Sequence, residues 1–359
     1  MIKPNRLKKG DKVAIVSLSS GILGEPFVKH ELDLGIKRLE EYGLIPVFMD
    51  NSLKGIDFIK THPEARAADL KQAFADKSIS AIICAIGGND SYLTLPHLME
   101  DEEFKQLVKN NPKIFLGFSD STTSHLMLNK LGLITFYGQS FLVDLAEFEE
   151  NMLEYSKTAF EFLFNPSNNH EIKPSKYWYL DRTDFSPAAV GTLRTKFEDK
   201  KGYELLQGKH SATGKLYGGC LEVMAEYLGL ASDNKEQVEN ITLKYNVFPS
   251  LEELSGSILL IETSELKISP EEYRKFLKKL KELKVFDVIG GIIASKPIDE
   301  INYTEYKQVL TEELKEYDFP VLYNINIGHS YPHTILPLGS TVEIDAENKT
   351  LFIKDNPLN

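Results

Sequence analysis

Residues 113–132 read KIFLGFSDSTTSHLMLNKLG. An apolar run, Ile114–Phe118, passes through a polar corner at Ser119–Asp120 into a segment of helical spacing, Ser121–Leu131, which stops at Gly132. A strand, a corner and a helix closed by glycine make one βα unit. The pattern repeats on both sides. Apolar runs at Val13–Leu18, Leu44–Met49, Ile79–Ile86 and Leu133–Tyr137 alternate with helical patterns at His30–Tyr42, Pro63–Ala75 and Asp101–Lys109. Strands that are apolar almost throughout, alternating with helices, predict a doubly wound parallel sheet covered on both faces.

Working outward, residues 141–165 read as helical and close an N-terminal α/β unit at 1–165. The stretch 166–213 has three prolines and many polar residues up to Val190, and reads as a linker or long loop. It holds the only tryptophan, Trp178, between Tyr177 and Tyr179. That cluster reads either as a core anchor or as a wall of a ligand site. Residues 214–359 predict a second, smaller mixed α/β domain. Its helices are Cys220–Leu228, a segment opened by Ser269 as N-cap and Pro270 at the first position, and Tyr303–Glu316. Its strands are GSILLIE, VIGGIIAS and PVLYNIN, and a hairpin turns at Glu347–Asn348.

A length of 359 residues suits two domains of about 150 residues each. Lys plus Arg number 41 against 53 Asp plus Glu, a net charge of −12. That balance argues against a nucleic-acid partner. The one basic run, Lys275–Lys284, interleaves its charges with Phe276, Leu277, Leu280 and Leu283 and reads as a solvated helix face. Two cysteines make no disulfide framework, and Cys84 reads as a buried strand residue. There is no CxxC or HExxH, so no metal is expected. There is neither a signal-peptide pattern nor a membrane-length apolar run, so a soluble cytoplasmic protein is expected.

Three polar residues end three apolar strands. Ser119 follows Ile114–Phe118, Glu262 ends SILLIE, and His329 follows PVLYNINIG. In parallel α/β sheets the carboxyl ends of strands face the ligand crevice. A serine there, with a histidine base and a carboxylate to orient it, suits nucleophilic acyl transfer. The alternative is that Ser119 or Asp120 merely caps the next helix. His125, in the same helix as Ser119, is poorly placed as a base, and His333 is the reserve for His329. Gly87–Gly88 ends a further strand, and its amides, with that of Asp120, would form an oxyanion hole. The phosphate-loop and dinucleotide fingerprints are absent.

Together the motifs KVAIVSLSSG, AIGGNDS, FLGFSDST, LYGGCLEVM, LLIETSE and NIGHSYPHTILPLGS resemble the LD-carboxypeptidase family of serine peptidases, in the family's order and over nearly the whole chain. The resemblance implies a two-domain α/β hydrolase, a cytoplasmic homodimer, with Ser119 as nucleophile, His329 as base, Glu262 as its orienter, and Gly88 and Asp120 as oxyanion donors. It implies no cofactor. One branch of the family, the murein enzymes, releases D-alanine from a muropeptide tetrapeptide and often carries an Arg–Gly–Gly stretch. Here Ile86 replaces that arginine and Asn89–Asp90 follow. The chain therefore looks more like the microcin C self-immunity branch, which cleaves an amide of a peptide-nucleotide. That branch implies substrate contacts from Gly87, Asn89 and Trp178, with Lys267 on a phosphate-like group or else simply solvated. A ligand-binding protein without chemistry is the rival of another class.

Overall fold

The computed structural model describes residues 1–231 and 234–359. Its strands are β1 (Lys12–Val16), β2 (Ile45–Phe48), β3 (Ile79–Cys84), β4 (Ile114–Gly117), β5 (Thr135–Tyr137), β6 (His170–Ile172), β7 (Tyr177–Tyr179), β8 (Lys196–Glu198), β9 (Glu204–Gln207), β10 (Ala212–Cys220), β11 (Ile258–Glu262), β12 (Gly291–Ser295), β13 (Val321–Ile325), β14 (Leu336–Leu338), β15 (Thr341–Asp345) and β16 (Thr350–Ile353).

The first sheet has the order β14-β5-β4-β3-β1-β2, with β1 to β5 parallel. Successive side chains of a strand point to opposite faces. Ala14, Ile82 and Phe115 accordingly join one core, with Leu70 and Phe74 of the helix Pro63–Ala75. Val13, Ile83 and Leu116 join another, with Leu39 of the helix Lys29–Glu41 and Phe141. Both faces are buried, which is why these strands read as continuous apolar runs. The edge strand β14 comes from the far end of the chain and pairs antiparallel with β5, Leu336 opposite Tyr137.

The second sheet has eight strands in the order β6-β16-β15-β10-β11-β12-β13-β9. Its centre, β10 to β13, is parallel. One face carries Leu259, Ile261 and Ile292 against Phe276 and Leu280 of the helix Pro270–Glu282. The other carries Ile258, Leu260, Ile293 and Leu322, which pack with Phe118 and Tyr137 of the first sheet's strand ends. The two sheets thus share a core where the site lies.

Two expectations about order along the chain need correction. Residues 141–165 are not one helix: a π-helical turn, Phe141–Leu145, and a helix, Glu154–Glu161, flank an irregular stretch. The stretch 166–213, expected as linker or loop, carries β6 to β9 and the start of β10. Strand β6 pairs with β16, β9 with β13, and β7 with β8 as a separate two-stranded hairpin. Among the described residues no helix is long and apolar enough to cross a membrane.

Candidate active site

Ser119 sits at the corner after β4 with φ of 62°, a left-handed backbone that a serine adopts only when its surroundings impose it. The turn lifts its hydroxyl out of the strand line at the mouth of the helix Thr122–Lys130. Its carbonyl accepts from the Thr122 hydroxyl at 2.7 Å, and its amide donates to the Tyr137 hydroxyl at 3.1 Å. Gly87 runs alongside: a Cβ built on it would lie 2.8 Å from Ser119 Oγ. The chain can pass this close only as glycine.

His329 Nε2 lies 3.0 Å from Ser119 Oγ, and His329 Nδ1 lies 2.9 Å from Glu262 Oε2. The three strand-end residues therefore form one hydrogen-bonded line across the two sheets. Gly328 makes the approach possible: with φ of 72°, it lies where a Cβ would run into the Glu262 carboxyl. Phe118 and the imidazole meet in a T-shaped pair, centroids 5.1 Å apart. Glu262 is fully buried, and its second oxygen accepts from Tyr137 at 2.5 Å. A buried carboxylate needs such partners to stay charged. Burial, with the neighbouring Glu262 carboxylate, holds the Tyr137 phenol well above its ordinary range, so it remains a donor.

Burial alone would lower the His329 imidazole, but the Glu262 and Glu265 carboxylates outweigh it and hold it up at about 10. Glu265, three residues after the end of β11, places Oε2 2.9 Å from His329 Nε2, the nitrogen that also faces Ser119. Sequence reasoning missed Glu265 and Tyr137. Tyr137 carried a signal of the same kind as the triad: a polar tip ending an apolar strand.

The side chain of Asp120 has a role that the sequence did not reveal. Its carboxylate accepts from the amides of Asp90 and Ser91 at 2.9 Å each, from the Ser91 hydroxyl at 2.8 Å, and from Ser19. It ties together the loops that follow β1, β3 and β4. Glu226 packs nearby, and burial, with Asp120 and Asp90, pushes its carboxyl up to about 9, so it is neutral at pH 7.

Gly88 and Asn89 are exposed at the rim of the same corner. Trp178, half-buried in β7, stacks on Phe197 of β8 with centroids 4.5 Å apart, and the ammonium of Lys296 lies 5.7 Å from its ring centroid. The hairpin is tied to the histidine loop by the Tyr179 amide, which donates to the Tyr331 carbonyl at 3.1 Å. Lys267 turns to Asp299, Nζ to Oδ2 at 3.0 Å. His333 is not beside Ser119: it is fully buried with Nδ1 on Asp144 Oδ1 at 2.7 Å. His125 is buried between Thr135 Oγ1 and the Gly117 carbonyl, and burial lowers it to about 3, so it stays neutral. Both cysteines are buried, and burial pushes the Cys84 thiol up to about 12.

Two family profiles match this chain, the LD-carboxypeptidase N-terminal domain over residues 13–138 and the LD-carboxypeptidase C-terminal domain over residues 213–344. The chain belongs to the LD-carboxypeptidase family. It is a hydrolase of the serine-peptidase type. Among its relatives is the probable murein peptide carboxypeptidase of Bacillus subtilis, 26% identical over 98% of this chain and 94% of that one. The microcin C7 self-immunity protein MccF of Escherichia coli is 27% identical over 82% and 79%. A crystal structure of an MccF-like protein from Streptococcus pneumoniae in complex with AMP superposes with a TM-score of 0.91, at 47% identity over 96% of this chain and 99% of that one.

Proposed function

We propose that this LD-carboxypeptidase family member cleaves the amide joining an aminoacyl group to a sulfamoyl- or phosphoramide-linked nucleoside. The observation that carries the reading is the hydrogen-bonded line Ser119–His329–Glu262, set on a left-handed Ser119. Ser119 Oγ attacks the scissile carbonyl while His329 Nε2 takes its proton. The oxyanion settles on the amides of Gly88 and Asp120. His329 then gives the proton to the leaving nitrogen, and the C–N bond breaks to leave an acyl-serine. Water, deprotonated by His329, attacks that ester and frees the acid and Ser119. Glu262 fixes the ring and stabilises its cation. No step calls on a cofactor or metal.

Three features support a nucleotide over a muropeptide. The 47% identical neighbour binds AMP. The Trp178 hairpin, joined to the histidine loop, offers an aromatic surface for a nucleobase, with Gly87 and Asn89 as further substrate contacts in this reading. Ile86 stands where the murein enzymes often have arginine. Lys267, once freed from Asp299, would meet a phosphate-like group in this reading. The enzyme works as a cytoplasmic homodimer in this reading, as the family resemblance implies, and sedimentation velocity checks the assembly.

The test is a product assay with aspartyl sulfamoyl adenosine and a murein tetrapeptide. The wild type should release sulfamoyl adenosine, and Ser119→Ala should lose roughly three orders of magnitude or more. Release of D-alanine alone would select the murein reaction. Undiminished hydrolysis by Ser119→Ala would overturn the serine mechanism, and binding without turnover by the wild type would leave a ligand-binding protein.

A further inference from the structure

The His329 Nε2 atom has two acceptors, Ser119 Oγ at 3.0 Å and Glu265 Oε2 at 2.9 Å. A carboxylate only accepts hydrogen bonds, so the Glu265 contact exists only while Nε2 carries a proton. General-base action needs the opposite state, a lone pair on Nε2 facing the serine. In this arrangement the ring is a cation between two carboxylates, Nδ1–H on Glu262 and Nε2–H on Glu265, and it cannot take a proton.

Glu265 is built to leave. Its side chain is 58% exposed, whereas that of Glu262 is fully buried. Among the described residues His329 is its only ion-pair partner, and the nearest lysine on its own loop, Lys267, is engaged by Asp299. The loop itself is fixed, because Ser264 donates its amide and hydroxyl to the half-buried Glu222 at 3.0 and 2.7 Å. The side chain can therefore swing without the backbone. When it releases the imidazole it loses its counter-charge, and among the described residues no second cation pairs with it. A cation on the substrate can take that place.

We propose that Glu265 is a displaceable stopper on His329, and that the free α-ammonium of an aminoacyl substrate draws it off. The α-ammonium is the cation that any aminoacyl amide carries one carbon from its scissile carbonyl. It arrives beside Ser119 with the bond to be cut, and with Glu265 drawn off the Nε2 proton passes to solvent water, which leaves the lone pair that the serine needs. A substrate whose α-nitrogen is acylated, as inside any longer peptide, brings no charge and leaves the stopper in place. The inference rests on the serine-hydrolase reading and narrows it to conjugates of a single amino acid with a free amine. The groups facing His329 are Glu262 and Glu265 on β11 and the loop after it, and Ser119 and Phe118 at the corner after β4. Tyr137, Glu222 and Cys220 lie beyond Glu262, and the His333–Asp144 pair lies beyond Phe118.

The experiment compares wild type, Glu265→Gln and Glu265→Ala on aspartyl sulfamoyl adenosine and on its N-acetyl derivative. Wild type should prefer the free amine by at least about tenfold in kcat/KM. In both variants that ratio should collapse toward unity, chiefly because the N-acetyl compound is turned over faster. The rising limb of the pH profile should also move down by roughly one unit. A second readout needs no turnover: the His329 ring proton, followed by NMR, should titrate at lower pH in Glu265→Gln. Aspartamide, but not N-acetylaspartamide, should shift the titration in wild type alone. An unchanged preference, or identical titration curves, overturns the stopper. If that happens while Ser119→Ala is inactive, the serine mechanism still stands.

Discussion

Tyr137 links the two halves of the Ser119–His329–Glu262 line at the scale of single atoms. Its hydroxyl donates to Glu262 and accepts from the Ser119 amide, so one oxygen positions both the carboxylate and the strained corner. Tyr137→Phe removes it without changing the ring. Glu262 is then left with an unmatched buried oxygen, which costs about 1–3 kcal/mol of stability. The serine loses its anchor, and kcat should fall by roughly 10- to 100-fold, since each factor of ten corresponds to about 1.4 kcal/mol. Urea denaturation and steady-state kinetics check both. Wild-type kinetics in the variant would show that Glu262 needs only His329. His329 also carries a pH signature. Its folded value is raised from 6.5 to about 10, so its ion pairs with Glu262 and Glu265 contribute fully below pH 6.5 and are lost as pH rises through about 10. Thermal melts of wild type should therefore lose stability between pH 7 and 10 in excess of a His329→Gln variant. Parallel curves for the two proteins would contradict the raised value.

Turns and strand ends decide which side chains meet. Gly328 ends the run from β13 toward the histidine, with its φ of 72° and no room beside the Glu262 carboxyl. Gly328→Ala should cost about 1–2 kcal/mol for the left-handed backbone and about 1–3 kcal/mol for the collision. It should also push Glu262 off the imidazole, with a loss in kcat of roughly 100-fold or more at temperatures where the fold persists. Circular dichroism and kinetics separate the two effects. The same scale explains what could be read from the sequence. Strands β1, β3, β4 and β5 are buried on both faces, so their apolar runs announced them, and so did the polar residues that interrupt those runs at their ends. Strands β6 to β9 could not be read in this way. Residues 196–198 are exposed throughout, and β6 finds its partner at Leu351–Ile353, far along the chain. Neither alternation nor local turn chemistry marks such pairings. Glu265 stayed hidden for a related reason: in ETSE it is an ordinary exposed loop acid until folding brings His329 to it.

Over the whole molecule, the hydrogen-bonded line from Ser119 to Glu262 is also the seam between the two halves of the chain. Ser119 and Tyr137 come from the first sheet, Glu262 and His329 from the second, and β14 is lent by the second half to the edge of the first sheet. Further bonds cross the seam behind the serine: the Cys220 amide donates to the Thr122 hydroxyl at 3.0 Å, and Tyr227 to Thr123 at 2.9 Å. Leu336 is fully buried in the shared core, on the borrowed strand, opposite Tyr137. A seam that is apolar, hydrogen-bonded and strand-swapped gives neither half a complete surface of its own. Unfolding should therefore be a single event in which near-UV signal, far-UV signal and activity vanish together. Leu336→Ala should lower that one transition by about 2–5 kcal/mol, because the cavity it leaves is shared by both sheets. A denaturation curve in which activity and half of the far-UV signal disappear first, leaving a stable first sheet, would sink this coupling and show that the halves hold their folds independently.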